Sequence, residues 1–171
     1  HIFSQYAYFS SYSDSWLRHA GHYADLIVDR LGLGVASRVV EIGCNDGYLL
    51  QWFVRKGIPV LGIEPAGNVA EVARAKGVPT LTILFGRDTA PDVVARYGHA
   101  DLVIGNNVLA QVSDLNGFVA GMKILLAPRG VITMEFPHLM RLIEENQFDT
   151  IYHEHFSYFS FLTAERIFAA H

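Results

Sequence analysis

Cysteine is nearly absent from this sequence, which has only Cys44 among its 171 residues. A single cysteine excludes an internal disulfide framework and fits a reducing compartment, so we predict a cytoplasmic location. No apolar run approaches the ~18 residues that a membrane-spanning helix needs. The aromatic, hydroxylated stretch 3–12 lacks the basic region of a signal peptide. We therefore expect neither a secretory signal nor a membrane partner.

Positive charge is also scarce. Thirteen Lys and Arg residues stand against 17 Asp and Glu, for a formal net charge of −4. Such a chain has no general attraction for a polyanion, which argues against nucleic acid as its partner. Charged residues make up 18% and hydrophobic residues 51%, a composition typical of a folded domain and not of a disordered chain. The length is that of one compact domain.

Short β-branched runs alternate with segments of helical periodicity. This alternation, with short Gly and Pro joints, predicts an α/β fold: a doubly wound, mostly parallel, Rossmann-like sheet with helices on both faces. The predicted strands are 38–42, 59–63, 80–84, 101–104 and 131–136, and the predicted helices are 16–31, 49–53, 68–76, 91–97, 115–126 and 139–145.

Three regions differ in character along the chain. Residues 1–12 form an aromatic leader, 13–145 the α/β domain, and 146–171 a polar and aromatic loop with the start of a following segment. The chain begins without Met and ends inside a helical pattern at His171. We expect a piece of a longer protein, whose remaining domains are partners of this one.

The residues after the first two strands indicate a nucleoside cofactor, because open α/β sheets bind ligands beyond the carboxyl ends of their strands. A dinucleotide site favours G-x-G-x-x-G, but Asn45 occupies the middle glycine position and the acidic Glu41 precedes the turn. S-adenosylmethionine carries no phosphate. Glu41 suits its ammonium group, and Glu64, 21 residues beyond Gly43, suits its ribose hydroxyls. S-adenosylmethionine is therefore favoured over NAD.

Several segments resemble one family. They are VVEIGCNDGYLL at 39–50, GIEPAGNVA at 62–70, ADLVIGNNVLA at 100–110, and EFPH at 135–138 with QFDTIYHEHFSY at 147–158. This chain resembles the S-adenosylmethionine-dependent C-methyltransferases that act on nucleotide-linked deoxy-keto sugars, in deoxysugar biosynthesis. The resemblance implies a class I methyltransferase domain. It also implies a zinc-binding domain before this region and another α/β domain after it.

The resemblance also implies a set of cofactor-binding residues. The glycine-rich loop would hold the methionine part, Glu64 the ribose and Phe85 the adenine. Gln111 stands where the family usually has His, and Ile83 stands where an acid would contact the adenine amine. The implied cofactor-binding residues are Glu41, Gly43, Cys44, Asn45, Gly47, Tyr48, Glu64, Pro65, Phe85, Gly86, Asn106, Asn107 and Gln111.

Carbon methylation beside a ketone needs a base for the α-proton and a donor for the enolate oxygen. By resemblance His155 is the base, and Tyr152 and Glu154 assist it. A leader tyrosine, Tyr6 or Tyr8, is expected to close over the site.

Other interpretations remain open. His153 and His155 match a metal-ligand spacing, but no cysteine pair accompanies them, so we predict no metal site in this chain. His153 and His19 suit structural roles, and Trp16 suits the core. Methyl transfer to oxygen or nitrogen, or a non-catalytic cofactor-binding module, would use the same domain. No basic cluster that could hold a diphosphate is evident.

Overall fold

Five parallel strands form one sheet in the computed structural model, which describes residues 6–171. The strand order is β3-β2-β1-β4-β5. The chain therefore runs outward from the central strand β1 in one direction and then crosses back to β4. This arrangement confirms the predicted doubly wound sheet. The strands are β1 Val39–Ile42, β2 Val60–Ile63, β3 Thr80–Leu81, β4 Ala100–Asn106 and β5 Leu126–Glu135.

Helices connect these strands, and the longest of them is capped at both ends. The first helix has Ser13 as its N-cap, which accepts the Trp16 N–H, and it ends at Gly32 in the left-handed conformation, φ 63°. The helices are α1 Asp14–Leu31, α2 Leu50–Arg55, α3 Gly67–Ala75, α4 Ala90–Tyr97, α5 Leu115–Leu125, α6 Leu139–Glu144 and α7 Phe161–Ala169. Short 3₁₀ turns lie at Ser10–Tyr12, Leu109–Gln111 and Phe148–Thr150.

The core has two parts, one on each face of the sheet. Alternate residues of β1 point to opposite faces, so Val39 packs with α1 and α2 while Val40 packs with α4 and α5. Both valines are fully buried. Burial on two faces explains why the central strands have continuous apolar runs instead of an alternating pattern.

The structure corrects two predicted strands. β3 ends at Leu81, three residues before the predicted end, and the following residues leave the sheet. β5 begins at Leu126, five residues before the predicted start. The sequence Pro128-Arg129-Gly130 suggested a turn, but it forms an irregularity within the strand: Ala100 pairs with Leu126, whereas Leu102 pairs with Val131.

Among residues 6–171 no helix has both the length and the apolar character that a membrane crossing requires.

We predict that Gly121→Ala destabilises the fold although alanine is the better helix former. A Cβ atom at Gly121 on α5 would lie 2.7 Å from the backbone carbon of Gly86, and backbone cannot move aside as a side chain can. Overpacking of this kind costs about 1–3 kcal/mol of unfolding free energy, which urea denaturation measures. Gly67→Ala on α3 is the matched control, because nothing lies within 4 Å of its added Cβ. Equal stability of the two variants would contradict this packing account.

Candidate active site

A cleft of about 1060 Å³ opens at the carboxyl ends of β1 and β4. These strands are neighbours in the sheet, but the chain leaves them toward opposite sides. Such a switch point creates a crevice in doubly wound sheets, and it is where their ligands bind. One wall of the cleft comes from the glycine-rich loop 43–47 and the other from the segment 150–156, which we call the catalytic loop.

The glycine-rich loop turns sharply because three of its residues have a positive φ. The angles are 73° at Gly43, 49° at Asn45 and 76° at Gly47. Gly47 has no room for a side chain, since an added Cβ would lie 3.1 Å from Val78 and 3.4 Å from Ala73. The turn therefore presents bare backbone to the cleft at Gly43, which lines it.

Glu64 at the end of β2 supports this loop and faces the cleft. One carboxylate oxygen accepts the Asn45 backbone N–H at 3.0 Å, and the other accepts the Ala66 N–H at 2.9 Å. Burial raises the pKa of Glu64, while these two backbone hydrogen bonds oppose the rise. Each oxygen retains a second lone pair, so the carboxylate can still accept two hydroxyl groups of a ligand.

Glu41 lies beneath the loop and does not line the cleft. Its side chain is fully buried, and neither carboxylate oxygen has a hydrogen-bond partner among the described residues. Burial raises the pKa of Glu41 well above its usual range, and the nearby acids Glu64 and Asp46 raise it further. The structure therefore does not place Glu41 in the predicted direct contact with a methionine group.

Residues 6–12, which we call the leader strap, lie across the glycine-rich loop. The Asn45 side chain holds the strap twice: its Oδ1 accepts the Ser10 N–H at 2.9 Å and its Nδ2 donates to the Tyr8 carbonyl at 3.1 Å. Asn68 on α3 holds the Tyr6 backbone in the same way, with distances of 3.1 and 2.7 Å. The strap thus forms one side of the cleft entrance.

The catalytic loop is fixed to the body of the domain close to its histidine. The Phe156 N–H donates to the Ala110 carbonyl at 2.8 Å, just before Gln111. The His155 Nδ1 lies 2.9 Å from the Thr150 carbonyl oxygen. A carbonyl only accepts hydrogen bonds, so Nδ1 carries the proton and Nε2 is the basic nitrogen of the neutral ring. The loop therefore selects one tautomer of His155.

A hydrogen bond joins the leader strap to the catalytic loop across the cleft. The Tyr6 hydroxyl donates to the Glu154 carboxylate at 3.3 Å. Burial raises the pKa of Tyr6 to about 12, and Glu154 adds to the rise. Tyr152 packs against the His155 ring with their centroids 4.2 Å apart, and its own pKa is raised by burial and by Glu154. Both tyrosines therefore remain protonated hydroxyl groups at neutral pH.

The structure brings most of the predicted residues into this one cleft. All five predicted catalytic residues line it, as do ten of the thirteen predicted cofactor residues. The three that do not are Glu41, Cys44 and Gly47. Cys44 is fully buried and packs over Gly62, where an added Cβ would lie 2.5 Å from its sulfur. The ten that do are Gly43, Asn45, Tyr48, Glu64, Pro65, Phe85, Gly86, Asn106, Asn107 and Gln111.

Trp16 packs against the hydrophobic core as predicted, but its half-buried ring also lines the cleft and stacks on Tyr48 with the centroids 6.2 Å apart. Helical periodicity marked it correctly as an inward-facing residue of α1. The pattern could not show that this end of the helix also borders a cleft. Ser10, Phe118 and Thr150 also line the cleft. Thr150 lies within the quoted segment 147–158, but no local motif identifies Ser10 or Phe118.

Two residues near the end of β5 have structural partners and do not line the cleft. His138 caps α6, because its Nδ1 accepts the Met140 N–H at 3.2 Å. Glu135 binds His19 and Asn107. His153 lines the cleft and is exposed. Within residues 6–171, no group of three or more His, Cys, Asp or Glu residues is arranged to hold a metal ion.

Charge in the cleft has one sign among its described lining residues. Glu64, Asp114 and Glu154 line it, whereas no Lys or Arg does. A pyrophosphate would meet these carboxylates and no Lys or Arg side chain there, whereas a cationic ligand is favoured. S-adenosylmethionine, with an ammonium, a sulfonium and a ribose, fits this set, because the bare turn at Gly43 and the free lone pairs of Glu64 both suit it.

Comparison with known proteins agrees with this chemistry. Residues 16–171 match the family model described as a methyltransferase domain. The C-methyltransferase NovU of Streptomyces niveus is 39% identical over 170 residues, which are 99% of this chain and 40% of that protein. A ubiquinone biosynthesis O-methyltransferase of Rhodopseudomonas palustris is 25% identical over 97 residues, 57% of this chain and 38% of that protein. The chain thus spans about two fifths of the length of these relatives.

Solved structures share the fold. A S-adenosylmethionine-dependent methyltransferase from Archaeoglobus fulgidus superposes with a TM-score of 0.67 at 16% identity, over 88% of this chain and 67% of that one. The structural likeness confirms the Rossmann-like fold. The family model and the Streptomyces niveus relative confirm the expectation of a methyltransferase domain, the domain for which S-adenosylmethionine is the predicted cofactor. They favour an enzyme over a non-catalytic binding module.

We predict that Glu41→Gln stabilises the protein at pH 8 by about 0.5–2 kcal/mol, the usual yield of one stabilising substitution. The folded-state pKa of Glu41 is raised, so between its ordinary value and that raised value the folded protein binds a proton that the unfolded chain lacks. Wild-type stability therefore falls as pH rises through this window. The advantage of the variant should disappear as pH is lowered toward 5.

Urea denaturation from pH 5 to pH 8 measures this difference. Glu165→Gln on the exposed surface of α7 is the matched control and should show no such pH dependence. A destabilised Glu41→Gln variant at pH 8 would contradict the assignment of Glu41 as an unpaired buried carboxyl group.

Proposed function

Because the chain belongs to the methyltransferase domain family, we propose that it binds S-adenosylmethionine and methylates a carbon beside a ketone, with His155 as the general base. The proposed acceptor is a nucleotide-linked deoxy-keto sugar, and the proposed location is the cytoplasm. The observation that carries this proposal is the hydrogen bond from His155 Nδ1 to the Thr150 carbonyl. It leaves Nε2 as a base in a cleft that also holds two tyrosine hydroxyl groups.

His155 suits proton removal from a carbon acid. Its Nε2 would take the α-proton, and the C–H electron pair would pass into an enolate. The ring is half-buried and is packed between Tyr152 and Tyr158, with centroid distances of 4.2 and 5.9 Å. Because both rings and the Thr150 carbonyl fix its orientation, the imidazole needs no reorganisation before it acts.

A tyrosine hydroxyl group can donate a hydrogen bond to the enolate oxygen. Tyr152 lines the cleft beside His155, and its raised pKa keeps the hydroxyl proton available for donation. The Tyr6 hydroxyl is directed to Glu154, so Tyr6 positions that carboxylate and closes the cleft from the leader strap. Glu154 would in turn stabilise the imidazolium that forms on His155.

The cofactor would lie along the other wall of the cleft. Glu64 would accept the ribose hydroxyls, Gly43 would give the methionine part close access to backbone, and Phe85 would lie against the adenine. When bound there, S-adenosylmethionine supplies an electrophilic methyl group. The acidic lining of the cleft suits this cation, and the sulfonium charge is lost with the methyl group.

The diphosphate of the acceptor has no positively charged side chain to bind in this cleft, since no described lining residue is Lys or Arg. We therefore propose that other parts of a longer protein hold the nucleotide, and that only the neutral sugar ring enters here. The C-methyltransferase NovU, of which this chain spans 40%, supports that division. The predicted organisation of this chain into a leader, an α/β domain and a catalytic loop is part of the same proposal.

Transfer to oxygen is the second candidate. The 25–28% identical ubiquinone biosynthesis O-methyltransferases support it, because a base at His155 would also deprotonate a hydroxyl group. The two candidates differ in the atom that carries the new methyl group, which mass spectrometry with isotope-labelled S-adenosylmethionine identifies on each acceptor of a keto-sugar panel.

We predict that His155→Ala lowers methyl transfer in the full-length protein by about 10²–10⁴-fold, the usual cost of losing a general base. Cofactor affinity should stay nearly unchanged, because the Glu64 contacts lie on the opposite wall. A second measurement follows deuterium exchange at the acceptor's α-carbon while S-adenosylhomocysteine blocks transfer. Wild type should exchange this proton, and the variant should not.

His153→Ala is the matched control, because His153 is exposed on the same loop and should have a mild effect. Tyr152→Phe should cost less than His155→Ala. If His155→Ala kept full exchange and turnover while His153→Ala lost both, the base would have to be reassigned to His153.

A further inference from the structure

A chain of hydrogen bonds runs from the outer surface of α1 to Asn107, an exposed residue that lines the cleft. The His19 Nε2 lies 2.8 Å from Glu135 Oε2, and Asn107 Nδ2 donates to Glu135 Oε1 at 3.2 Å. His19 and Glu135 do not line the cleft, but Asn107 does. The mechanism above uses neither His19 nor Glu135.

Asn107 has an unfavourable backbone conformation that contacts with other residues must stabilise. Its φ is 53°, a left-handed conformation that few residues other than glycine and asparagine adopt. Its backbone N–H donates to the Glu135 carbonyl at 2.7 Å. Glu135 therefore holds both the backbone and the side chain of Asn107.

The chemistry of the partners fixes which end of the Asn107 amide faces the ligand. A carboxylate only accepts hydrogen bonds, so Glu135 requires the NH₂ end of the amide. The Oδ1 end is then free to face the cleft. His19 donates to the other carboxylate oxygen for the same reason, and its ring stacks on Trp16 with the centroids 5.0 Å apart.

Asn107 also lies between the two walls of the cleft. Its neighbour Val108 is 3.3 Å from the position of a Cβ at Gly43 in the glycine-rich loop. Three residues after Asn107, the Ala110 carbonyl anchors the catalytic loop through Phe156. A methyl group that passes from a cofactor on one wall to a carbon beside His155 on the other must cross this region.

We propose that Glu135, held by His19, is a positioning residue that turns the Asn107 Oδ1 toward the sulfonium of S-adenosylmethionine. An amide oxygen attracts a sulfonium and gains little from a neutral thioether, so the arrangement favours the substrate form of the cofactor over its demethylated product. This inference rests on the proposed function for the identity of the ligand, but the hydrogen-bond chain itself does not.

Calorimetric titration with S-adenosylmethionine and with S-adenosylhomocysteine tests the proposal without turnover. In Glu135→Gln, an amide replaces the carboxylate and no longer dictates which end of Asn107 it binds. We expect both Glu135→Gln and Asn107→Ala to lower the affinity for S-adenosylmethionine by ~3- to 10-fold, the range for one hydrogen bond. The affinity for S-adenosylhomocysteine should fall by less than about 2-fold. His19→Ala should lower the affinity for S-adenosylmethionine by ~2- to 5-fold. His19→Gln can still donate a hydrogen bond to Glu135 and should keep the wild-type affinity. Glu165→Gln is the charge-matched control and should change neither affinity.

Equal weakening of the two ligands, or no weakening, would overturn the proposal. Nuclear magnetic resonance of the Asn107 side-chain NH₂ group, in the protein without ligand, gives a second readout. Its signals should shift in Glu135→Gln and in His19→Ala but not in Glu165→Gln, and unchanged signals would overturn the positioning role. If wild type bound neither ligand, the proposed function would fail, and the NH₂ signals would still decide whether Glu135 positions Asn107.

Discussion

The hydrogen bond from the Asn45 backbone to the Glu64 carboxylate joins the ends of the two central strands on which the site depends. Asn45 has a positive φ, and the Glu64 carboxylate accepts its N–H at 3.0 Å. The same residue holds the leader strap through its side chain. One asparagine therefore connects the glycine-rich turn, the acid Glu64 and the strap that ends at the Tyr6 contact with Glu154.

The buried acids near the glycine-rich loop lower the stability of the fold, and the proposed cationic ligand gives a reason for their presence. Glu41 and Glu64 have raised pKa values, chiefly because they are buried, and Glu41 has no hydrogen-bond partner among the described residues. A buried carboxyl group without a partner, such as Glu41, is unfavourable in a protein that only has to fold. Acidic groups that lie close together are expected where a site must attract a cation, since a cationic ligand relieves the repulsion among their ionised forms.

Much of the fold could be predicted from the sequence, because the sheet is buried on both faces and each strand has a distinct apolar run. Predictions failed at the sheet edges. The short strand β3 and the irregular start of β5 depend on pairing with a neighbour, which no local pattern records. In the site, residues at strand ends such as Gly43 and Glu64 were predictable because topology places them together.

The contacts that complete the site come from parts of the chain that are distant in sequence. Tyr6 and Glu154 are 148 positions apart, and His19 and Glu135 are 116 apart. Glu41 is the opposite case, a predicted contact that the structure does not form. Its residue type and its position before the turn suggested a ligand contact, but only the three-dimensional structure shows that it is buried beneath the loop. Trp16 packs against the core, as its helical spacing predicted, but the same spacing could not show that its ring also lines the cleft.

The central claim is that the cleft takes a cationic nucleoside and rejects a dinucleotide. Calorimetric titration of the chain with S-adenosylmethionine and, separately, with NAD tests it most directly. The account predicts one site for S-adenosylmethionine, a loss of affinity in Glu64→Ala, which lacks the ribose acceptors, and no binding of NAD. Binding of NAD without binding of S-adenosylmethionine would contradict the assignment of the acidic, phosphate-excluding cleft.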